Sequence, residues 1–296
     1  MVSSLFVGNP MSKFVHCAVL SLVIWGSARV VWGAGPEYPL GVTADSQGSV
    51  YLADRNLPGV WKIAEGKLSL VFQASKKFRT PLNAVRCLAV DSQGRLYAGD
   101  SSTREVYRFN AQGQPEPLAK GGVGIATGIA FDPAGNLIVT DLEFPGRVLR
   151  IPEAGGEPTE IAQVNAPRGV AVDAEGTIWV VTHGKDRQVV KIGADNKVTT
   201  LVSGRPFEFP QSIALDDQGN AYVADGYAKA VWKITPDGKS SKLVEGSGLS
   251  HPDCVARRGA GLVVVDPRAL KETPGSTGVY DLTLDGKLSA VPYEGP

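Results

Sequence analysis

Residues 42–54 have the sequence Val-Thr-Ala-Asp-Ser-Gln-Gly-Ser-Val-Tyr-Leu-Ala-Asp. The segment contains a short apolar run, an Asp-x-x-Gly turn, a second apolar run and a closing Asp. The turn Asp can accept hydrogen bonds from the turn backbone, and the Gly can adopt a positive φ. The segment therefore predicts two β-strands joined by a tight turn.

The same pattern recurs along the chain. Its five clear copies are Val42–Asp54, Leu88–Asp100, Ile129–Asp141, Val170–Thr182 and Ile213–Asp225. Their turn Asp residues recur every 41 to 46 residues, and a sixth, degenerate copy without the turn Asp ends at Asp266. A period of this length indicates a repeat protein in which each copy forms one structural unit.

Each copy carries four strand signals. In the first copy they are Leu40–Ala44, Val50–Ala53, Val60–Ile63 and Leu68–Phe72. Six copies of four antiparallel strands predict an all-β fold, a six-bladed β-propeller of four-stranded antiparallel blades. No helical periodicity of useful length competes with this interpretation.

The composition narrows the classes of function. The 296 residues include 30 Lys plus Arg and 30 Asp plus Glu, so the formal net charge is zero. That balance argues against binding nucleic acid by charge alone, and no nucleic-acid partner is expected. A hydrophobic fraction of 43% excludes a disordered chain. The 35 Gly and 20 Pro residues fit a fold with many tight turns.

The N-terminal segment has the pattern of a signal peptide. Lys13 precedes the apolar run Cys17–Trp25, which is shorter than the roughly 20 residues that span a bilayer, and small residues follow it. We predict a signal peptide at residues 1–33 and a propeller at residues 34–296. The mature protein is then expected in the periplasm or outside the cell, with no other contact with the membrane.

Several details of this segment stay open. Met1 and Met11 are both possible starts, and cleavage could follow Ala28 or fall near Gly33. An uncleaved anchor is the alternative. If cleavage follows Ala28, the segment Arg29–Trp32 could pair with the last blade and close the ring.

The cysteines do not form a disulfide framework. Cys17 leaves with the signal peptide, and Cys87 and Cys254 occupy the same repeat position in blades two and six. Blade one lies between these two blades, so their separation should exceed the roughly 7 Å limit for a disulfide. We predict two buried free thiols.

The repeats resemble NHL repeats and, more loosely, the SMP-30/gluconolactonase and streptogramin-lyase proteins, over about residues 36–292. The resemblance implies the propeller fold, which serves binding modules as well as enzymes. For the lactonases it also implies a divalent cation held by Glu, Asn and Asp near the channel mouth. For the streptogramin lyases it implies paired His and Glu late in the chain; His251-Pro252-Asp253 is the nearest match here.

One residue at the start of each inner strand is expected to point toward the mouth of the central channel. These strands begin with Pro-x-Gly or a variant of it, and the middle residue is the one that should face the axis. These six positions, called the mouth ring below, are Leu40, Arg86, Thr127, Arg168, Gln211 and Asp253.

The mouth ring favours an anion over a cation. It offers one carboxylate and two guanidinium groups, whereas a hard cation needs several oxygen ligands. A divalent cation is therefore disfavoured, no metal ligands are assigned and no cofactor is expected. Guanidinium forks match a carboxylate or a phosphate. We predict that a small anionic ligand or a protein partner contacts the ring positions Arg86, Thr127, Arg168, Gln211 and Asp253.

The alternative for the two arginines is structural, with each one paired to a neighbouring loop acid. The loop acids end the second strand of five copies: Asp54, Asp100, Asp141, Asp225 and Asp266. We expect them to accept backbone N–H bonds from their own loops.

The catalytic candidates are weak. His183 and His251 are the histidines that follow the signal segment, and either could act as a general base together with Asp253. The alternative is that both histidines are surface residues of loops and have no catalytic role. The long loop Asp266–Thr277 is a candidate cover for the channel mouth. The sequence favours an exported binding or scaffold module, and the alternative is a hydrolase or lyase.

Overall fold

The computed structural model describes residues 35–183, 185, 189–204, 206–273 and 276–295. Within them the chain forms six four-stranded sheets, each built from consecutive antiparallel strands. The predicted all-β, six-bladed propeller is confirmed. The predicted signal peptide, both cleavage positions and the segment Arg29–Trp32 lie outside the described residues.

The two innermost strands of each blade come first in its sequence. The innermost strands are β1 (Pro39–Ala44), β5 (Val85–Val90), β9 (Ala126–Phe131), β13 (Pro167–Val172), β17 (Pro210–Leu215) and β21 (Cys254–Arg258). The second strands are β2 (Val50–Asp54), β6 (Leu96–Asp100), β10 (Leu137–Asp141), β14 (Ile178–Thr182), β18 (Ala221–Asp225) and β22 (Gly261–Val265).

The outer half of each blade follows. The third strands are β3 (Gly59–Ala64), β7 (Glu105–Phe109), β11 (Arg147–Ile151), β15 (Val189–Ile192), β19 (Ala230–Ile234) and β23 (Val279–Leu282). The fourth strands are β4 (Lys67–Gln73), β8 (Pro115–Pro117), β12 (Thr159–Gln163), β16 (Val198–Val202), β20 (Ser240–Glu245) and β24 (Leu288–Ala290). One short helix, α1 (Ala269–Glu272), lies between β22 and β23. No helix among the described residues has the length and apolar character needed to cross a membrane.

The hydrophobic core lies between the blades. Six clusters of buried side chains each combine residues from two neighbouring blades. The second strands are almost fully buried, because a neighbouring blade covers each of their faces. Burial on both faces explains why these strands are nearly continuous apolar runs.

Blade six packs against blade one and closes the ring. Leu52 and Trp61 of blade one share a core cluster with Val263 and Val265 of blade six. The chain then continues past β24 to the outer edge of blade one, where the Glu294 carbonyl accepts a hydrogen bond from the Leu68 N–H at 3.0 Å. This C-terminal link between the two blades has no signal in the repeat pattern.

The inner strands approach one another closely enough to require small residues at the third position of each. A Cβ on Gly169 would lie 2.5 Å from the Ser212 Cα and 2.7 Å from the Ile213 nitrogen. At Gly128 it would lie 2.8 Å from the Arg168 carbonyl oxygen. Crowding of backbones around the axis therefore dictates glycine at these positions.

We expect Gly169→Ala to lower the free energy of unfolding by about 3 kcal/mol, because the added methyl group must displace the backbone of the next blade. Urea unfolding followed by far-UV circular dichroism measures the loss. Gly295→Ala is the control, since no atom lies within 4 Å of its added Cβ. Equal stability of the two variants would contradict the close packing.

The turn Asp residues hold the tight turns between first and second strands. In blade five, Asp216 is 8% exposed. One of its carboxylate oxygens accepts the Gln218 and Asn220 backbone N–H groups at 2.9 and 2.8 Å. The other accepts the Asn220 side-chain amide at 2.8 Å and the Tyr222 hydroxyl at 2.9 Å. Burial alone would raise the pKa of Asp216, but these hydrogen bonds outweigh it, so the pKa lies below its ordinary value.

We expect Asp216→Asn to lose about 2 kcal/mol of stability at pH 7, because hydrogen bonds to a carboxylate are stronger than those to an amide. The folded-state pKa is depressed, so the contribution is present above the unfolded value near pH 4 and is lost as the pH falls through the folded one. The gap between wild type and variant should shrink from pH 5 to pH 2 in urea unfolding.

The neighbouring Asp217→Asn is the matched control, because the Asp217 side chain is 95% exposed and pairs with Arg257 at the surface at 3.2 Å. A stability gap for Asp216→Asn that stays constant between pH 7 and pH 2 would contradict the role given to its charge.

Both cysteines of the propeller are free thiols, as predicted, but of the two only Cys87 is fully buried. Cys87 is buried, and burial raises the pKa of its thiol to about 12. Cys254 is partly buried, and its thiol lies 3.8 Å from the Val42 carbonyl oxygen. The two thiols act as small groups on the crowded inner strands.

Candidate functional site

A β-bulge turns the mouth-ring residues out of the ladders. In blade one, Pro39 pairs with Asp54 and Gly41 with Ala53, so Leu40 has no partner on β2. Arg86, Thr127 and Gln211 likewise have no partner on the second strand of their blades. In blade four, both Arg168 and Gly169 are unpaired. Asp253 directly precedes β21. A bulge re-aims a side chain, and here it leaves the ring residues of blades one to five free to face the axis.

The mouth ring lines one central cavity. All six of its residues border a space of about 750 Å³ that extends along the inner strands. Five arginines border this cavity as well: Arg55, Arg86, Arg168, Arg257 and Arg268. Asp253 is the one carboxylate among the described lining residues. The charge of the lining is therefore strongly positive, although the whole chain is neutral.

Within the described part of the chain, four of these arginines have no ionic partner, whereas Arg257 pairs with Asp217 at 3.2 Å. The structural alternative, in which Arg86 and Arg168 each pair with a loop acid, is therefore wrong. The loop acids accept backbone N–H groups instead, and Asp141 also pairs with Arg147 at 2.9 Å.

Arg168 is the least satisfied of the four. Its Nε is buried and has no hydrogen-bond partner among the described residues. Burial lowers the pKa of the guanidinium, and the positive charge of Arg86 lowers it further. A partly buried cation beside a second cation is costly unless an anion compensates it.

The other polar ring residues differ in how many of their hydrogen-bonding groups already have a partner within the protein. Arg86 is exposed, and its Nε donates to the Ser101 hydroxyl at 2.9 Å. The Thr127 hydroxyl lies 3.1 and 3.2 Å from the carbonyl oxygens of Pro167 and Arg168, so its proton serves the contact with blade four. Gln211 lines the cavity on blade five.

The loop acids fix the loops at the mouth. All five are fully buried: Asp54, Asp100, Asp141, Asp225 and Asp266. Asp266 shows what they do, since it accepts the backbone N–H groups of Ser250, His251, Arg268 and Ala269. The expected bonds to their own loops are present, and each acid also holds the connection that enters its blade.

His251 and Asp253 form a hydrogen-bonded pair in the cavity wall. His251 Nδ1 lies 2.8 Å from Asp253 Oδ1. His251 Nε2 has no hydrogen bond within the described part of the chain. Tyr38 lies close by, and burial, with the charge of Asp253, raises the pKa of its hydroxyl against the opposing effect of Arg268 and Arg55. A carboxylate that accepts from Nδ1 leaves Nε2 as the basic nitrogen.

Aromatic rings form the wall next to this pair. Phe209 and Tyr227 are stacked with centroids 4.5 Å apart and an interplanar angle of 22°. The His251 ring lies 5.4 Å from Tyr227 and 5.8 Å from Phe209. These three rings border the cavity, and His183 contacts Phe209 edge-on at 4.6 Å without bordering the cavity itself. The two histidines therefore lie near the same aromatic cluster, but only His251 faces the cavity.

Sequence reasoning missed three of the cavity residues: Tyr38, Arg55 and Tyr227. Their positions carry a repeat signal. Tyr38 and Phe209 stand two residues before the mouth-ring position, as His251 does. Arg55, Tyr227 and Arg268 stand one or two residues after the loop acid. The predicted cover, Asp266–Thr277, contributes Arg268 to the wall.

This arrangement defines a β-propeller with a cationic channel mouth, and the sequence assigns it to a family. The SMP-30/Gluconolactonase/LRE-like region matches residues 26–204, which is more than half of the chain. The chain belongs to this family, as the resemblance of its repeats to SMP-30/gluconolactonase proteins predicted.

Individual proteins match the chain at modest sequence identity. Teneurin-1 of Gallus gallus is 27% identical over 221 residues, which are 73% of this chain and 7% of teneurin-1. The chain spans less than a tenth of the length of the curated relatives it matches.

Solved structures share the fold at low identity. A gluconolactonase from Xanthomonas campestris superimposes with a TM-score of 0.66 at 17% identity, over 79% of this chain and 85% of that one. Virginiamycin B lyase from Staphylococcus aureus gives 0.63 at 17% identity, over 86% of this chain and 84% of that one. At this identity the likeness shows the fold alone.

The residues at the mouth do not suit the divalent cation that the lactonase resemblance implies. No group of three or more His, Cys, Asp or Glu side chains among the described residues is arranged to hold a metal ion. The lining offers one carboxylate, which is bonded to His251, and several guanidinium groups that would repel a cation. We therefore derive no chemistry through a metal.

Proposed function

We propose that this protein is a binding module whose channel mouth holds a small anionic ligand. The observation that carries the proposal is a set of four guanidinium groups around one cavity that have no ionic partner among the described residues: Arg55, Arg86, Arg168 and Arg268. A carboxylate or phosphate group would supply the compensating negative charge and accept hydrogen bonds from the guanidinium N–H groups. The cavity volume is that of small-molecule sites.

Arg168 is the anchor of the proposed site. Arg168 borders the cavity and its charge is partly buried, so a ligand oxygen bound to its guanidinium would compensate that charge by a charge-assisted bond. Arg86 borders the same cavity, and its guanidinium is proposed to contact the same anion. The export that we propose from the N-terminal segment would place this site outside the cytoplasm.

We expect phosphate and acetate to raise the melting temperature of the wild type at low ionic strength, relative to chloride at equal ionic strength. Arg168→Gln should weaken the binding of either anion about 10- to 100-fold, since a charged hydrogen bond is worth about 1.5–3 kcal/mol. The anion affinity of Arg168→Lys should lie between those of the wild type and Arg168→Gln. Calorimetric titration measures the affinities.

Stability separates a ligand-binding role from a structural one. Without ligand, Arg168→Gln should be as stable as the wild type or more stable, because it removes an uncompensated, partly buried charge. Arg150→Gln is the control, as that exposed side chain lies outside the cavity, 3.4 Å from Asp132. A less stable Arg168→Gln that still responds to anions as the wild type does would contradict the proposal.

A second function, acid–base catalysis as a hydrolase or lyase, has one specific observation in its favour. The 2.8 Å contact between His251 Nδ1 and Asp253 Oδ1 fixes a tautomer in which Nε2 can take a proton. The nearby guanidinium groups could stabilise a negative charge that develops on a substrate oxygen. The reaction classes that fit are opening of a lactone or ester and elimination.

For this second function we expect hydrolysis of an aryl ester or a sugar lactone above background in the presence of EDTA. His251→Gln should lower the rate at least about 100-fold, and Asp253→Asn should lower it as well. His183→Gln is the matched control, because His183 does not border the cavity. Equal rates for wild type and His251→Gln on both substrates would rule out this role for the pair.

A further inference from the structure

The wall of the channel mouth at blade five is aromatic. Phe209 comes from the connection into β17 and Tyr227 from the loop after β18, and their rings stack at 4.5 Å. Four large hydrophobic side chains are exposed among the described residues: Phe78, Phe144, Val198 and Tyr227. Tyr227, at 56% exposure, is the one of these four that borders the cavity. A ring is therefore presented to whatever occupies the mouth.

Packing behind this wall supports the two rings. Phe209 contacts His183 at 4.6 Å and His251 at 5.8 Å, and its backbone N–H donates to the buried Asp225 at 2.6 Å. Tyr227 contacts His251 at 5.4 Å. A rigid stacked pair with an exposed member offers a flat surface at low entropic cost to a second flat ring.

The cationic and aromatic parts belong to adjacent blades. The inner strand of blade four touches that of blade five, as the 2.5 Å from the Gly169 Cβ position to the Ser212 Cα shows. Arg168 stands on the first of these strands, and Gln211 and the Phe209–Tyr227 pair stand on the second blade. Arg168, Phe209 and Tyr227 border the same cavity, so one ligand in that cavity can meet both the guanidinium and the aromatic wall.

We propose that the ligand is an aromatic carboxylate, with its carboxylate at Arg168 and Arg86 and its planar ring on the Phe209–Tyr227 pair. This inference rests on the proposed anion site and adds the chemical class of the molecule that fills it. An anion without a ring would leave the aromatic wall uncovered, and a neutral ring would leave the guanidinium groups unpaired. An aryl carboxylate meets both surfaces with one rigid molecule.

Four probes test the two parts separately by calorimetric titration of the full propeller: benzoate, cyclohexanecarboxylate, acetate and benzyl alcohol. We expect benzoate to bind about tenfold more tightly than acetate and more tightly than cyclohexanecarboxylate, whose ring is not planar. Benzyl alcohol keeps the ring but lacks the charge and should bind at least tenfold more weakly than benzoate. Saturation transfer from the protein to the benzoate ring protons reports the ring contact directly.

Tyr227→Ala should weaken the binding of benzoate about tenfold and leave the affinity for acetate unchanged, because it removes the exposed ring and no charge. Phe144→Ala is the matched control, since Phe144 is 97% exposed on the loop after β10 and does not border the cavity. Tyr227 is itself exposed, so its replacement should leave the melting temperature near that of the wild type.

The possible results separate this inference from the proposed function. Equal affinities for benzoate and acetate, both unaffected by Tyr227→Ala, would overturn the proposal that the ligand carries an aromatic ring. The proposed anion site would be supported by the same result. Benzyl alcohol binding as tightly as benzoate would overturn the part played by the arginines. No binding of any carboxylate would overturn both.

Discussion

A buried carboxylate at the end of the second strand organises the functional face of this propeller. Asp54, Asp100, Asp141, Asp225 and Asp266 have no solvent exposure, and a carboxylate in such a place is costly unless hydrogen bonds surround it. Backbone N–H groups from two loops supply these bonds. In Asp141 burial alone would raise the pKa, but the N–H groups of Glu143, Gly124 and Ile125, with Arg147, hold it below its ordinary value. Each carboxylate thereby ties the connection entering a blade to the loop that leaves its second strand. The mouth residues are side chains of these tied loops or of the bulges beside them.

Fixed loops explain how like charges can remain close together at the mouth. On a mobile loop, Arg168 would swing into water and away from Arg86. Here the bulge at the start of β13 and the hydrogen bonds from Thr127 to the Pro167 and Arg168 carbonyl oxygens hold the backbone in place. Burial lowers the pKa of Arg168, and the charge of Arg86 lowers it further, so both add to the electrostatic cost at this position. Proteins tolerate such local costs mainly at functional sites, where a bound group relieves them.

The repeat pattern predicted the blades and the mouth ring, because the tight turn, the strand alternation and the inner-strand glycines are local in sequence. It did not predict what depends on contacts between repeats. Tyr38, Arg55 and Tyr227 reach the cavity because loops from different blades converge, and a single copy of the repeat contains no such information. The hydrogen bond between His251 and Asp253 is also absent from the repeat pattern, since a spacing of two residues does not reveal it. The C-terminal link of Glu294 to blade one lies outside the repeat altogether.

The position of the mouth ring at β-bulges also limits what family membership implies for the ligand. A ring residue such as Arg86 or Gln211 is skipped in the ladder, so neither its backbone pairing nor the interblade core depends on its side chain. Replacement there changes charge at the mouth at little cost to the fold. The sign of the charge at the mouth can therefore change through a few ring residues while the fold is kept. In this chain the guanidinium groups outnumber the single carboxylate, and that local balance, more than the shared fold, determines which ligand the channel mouth can hold.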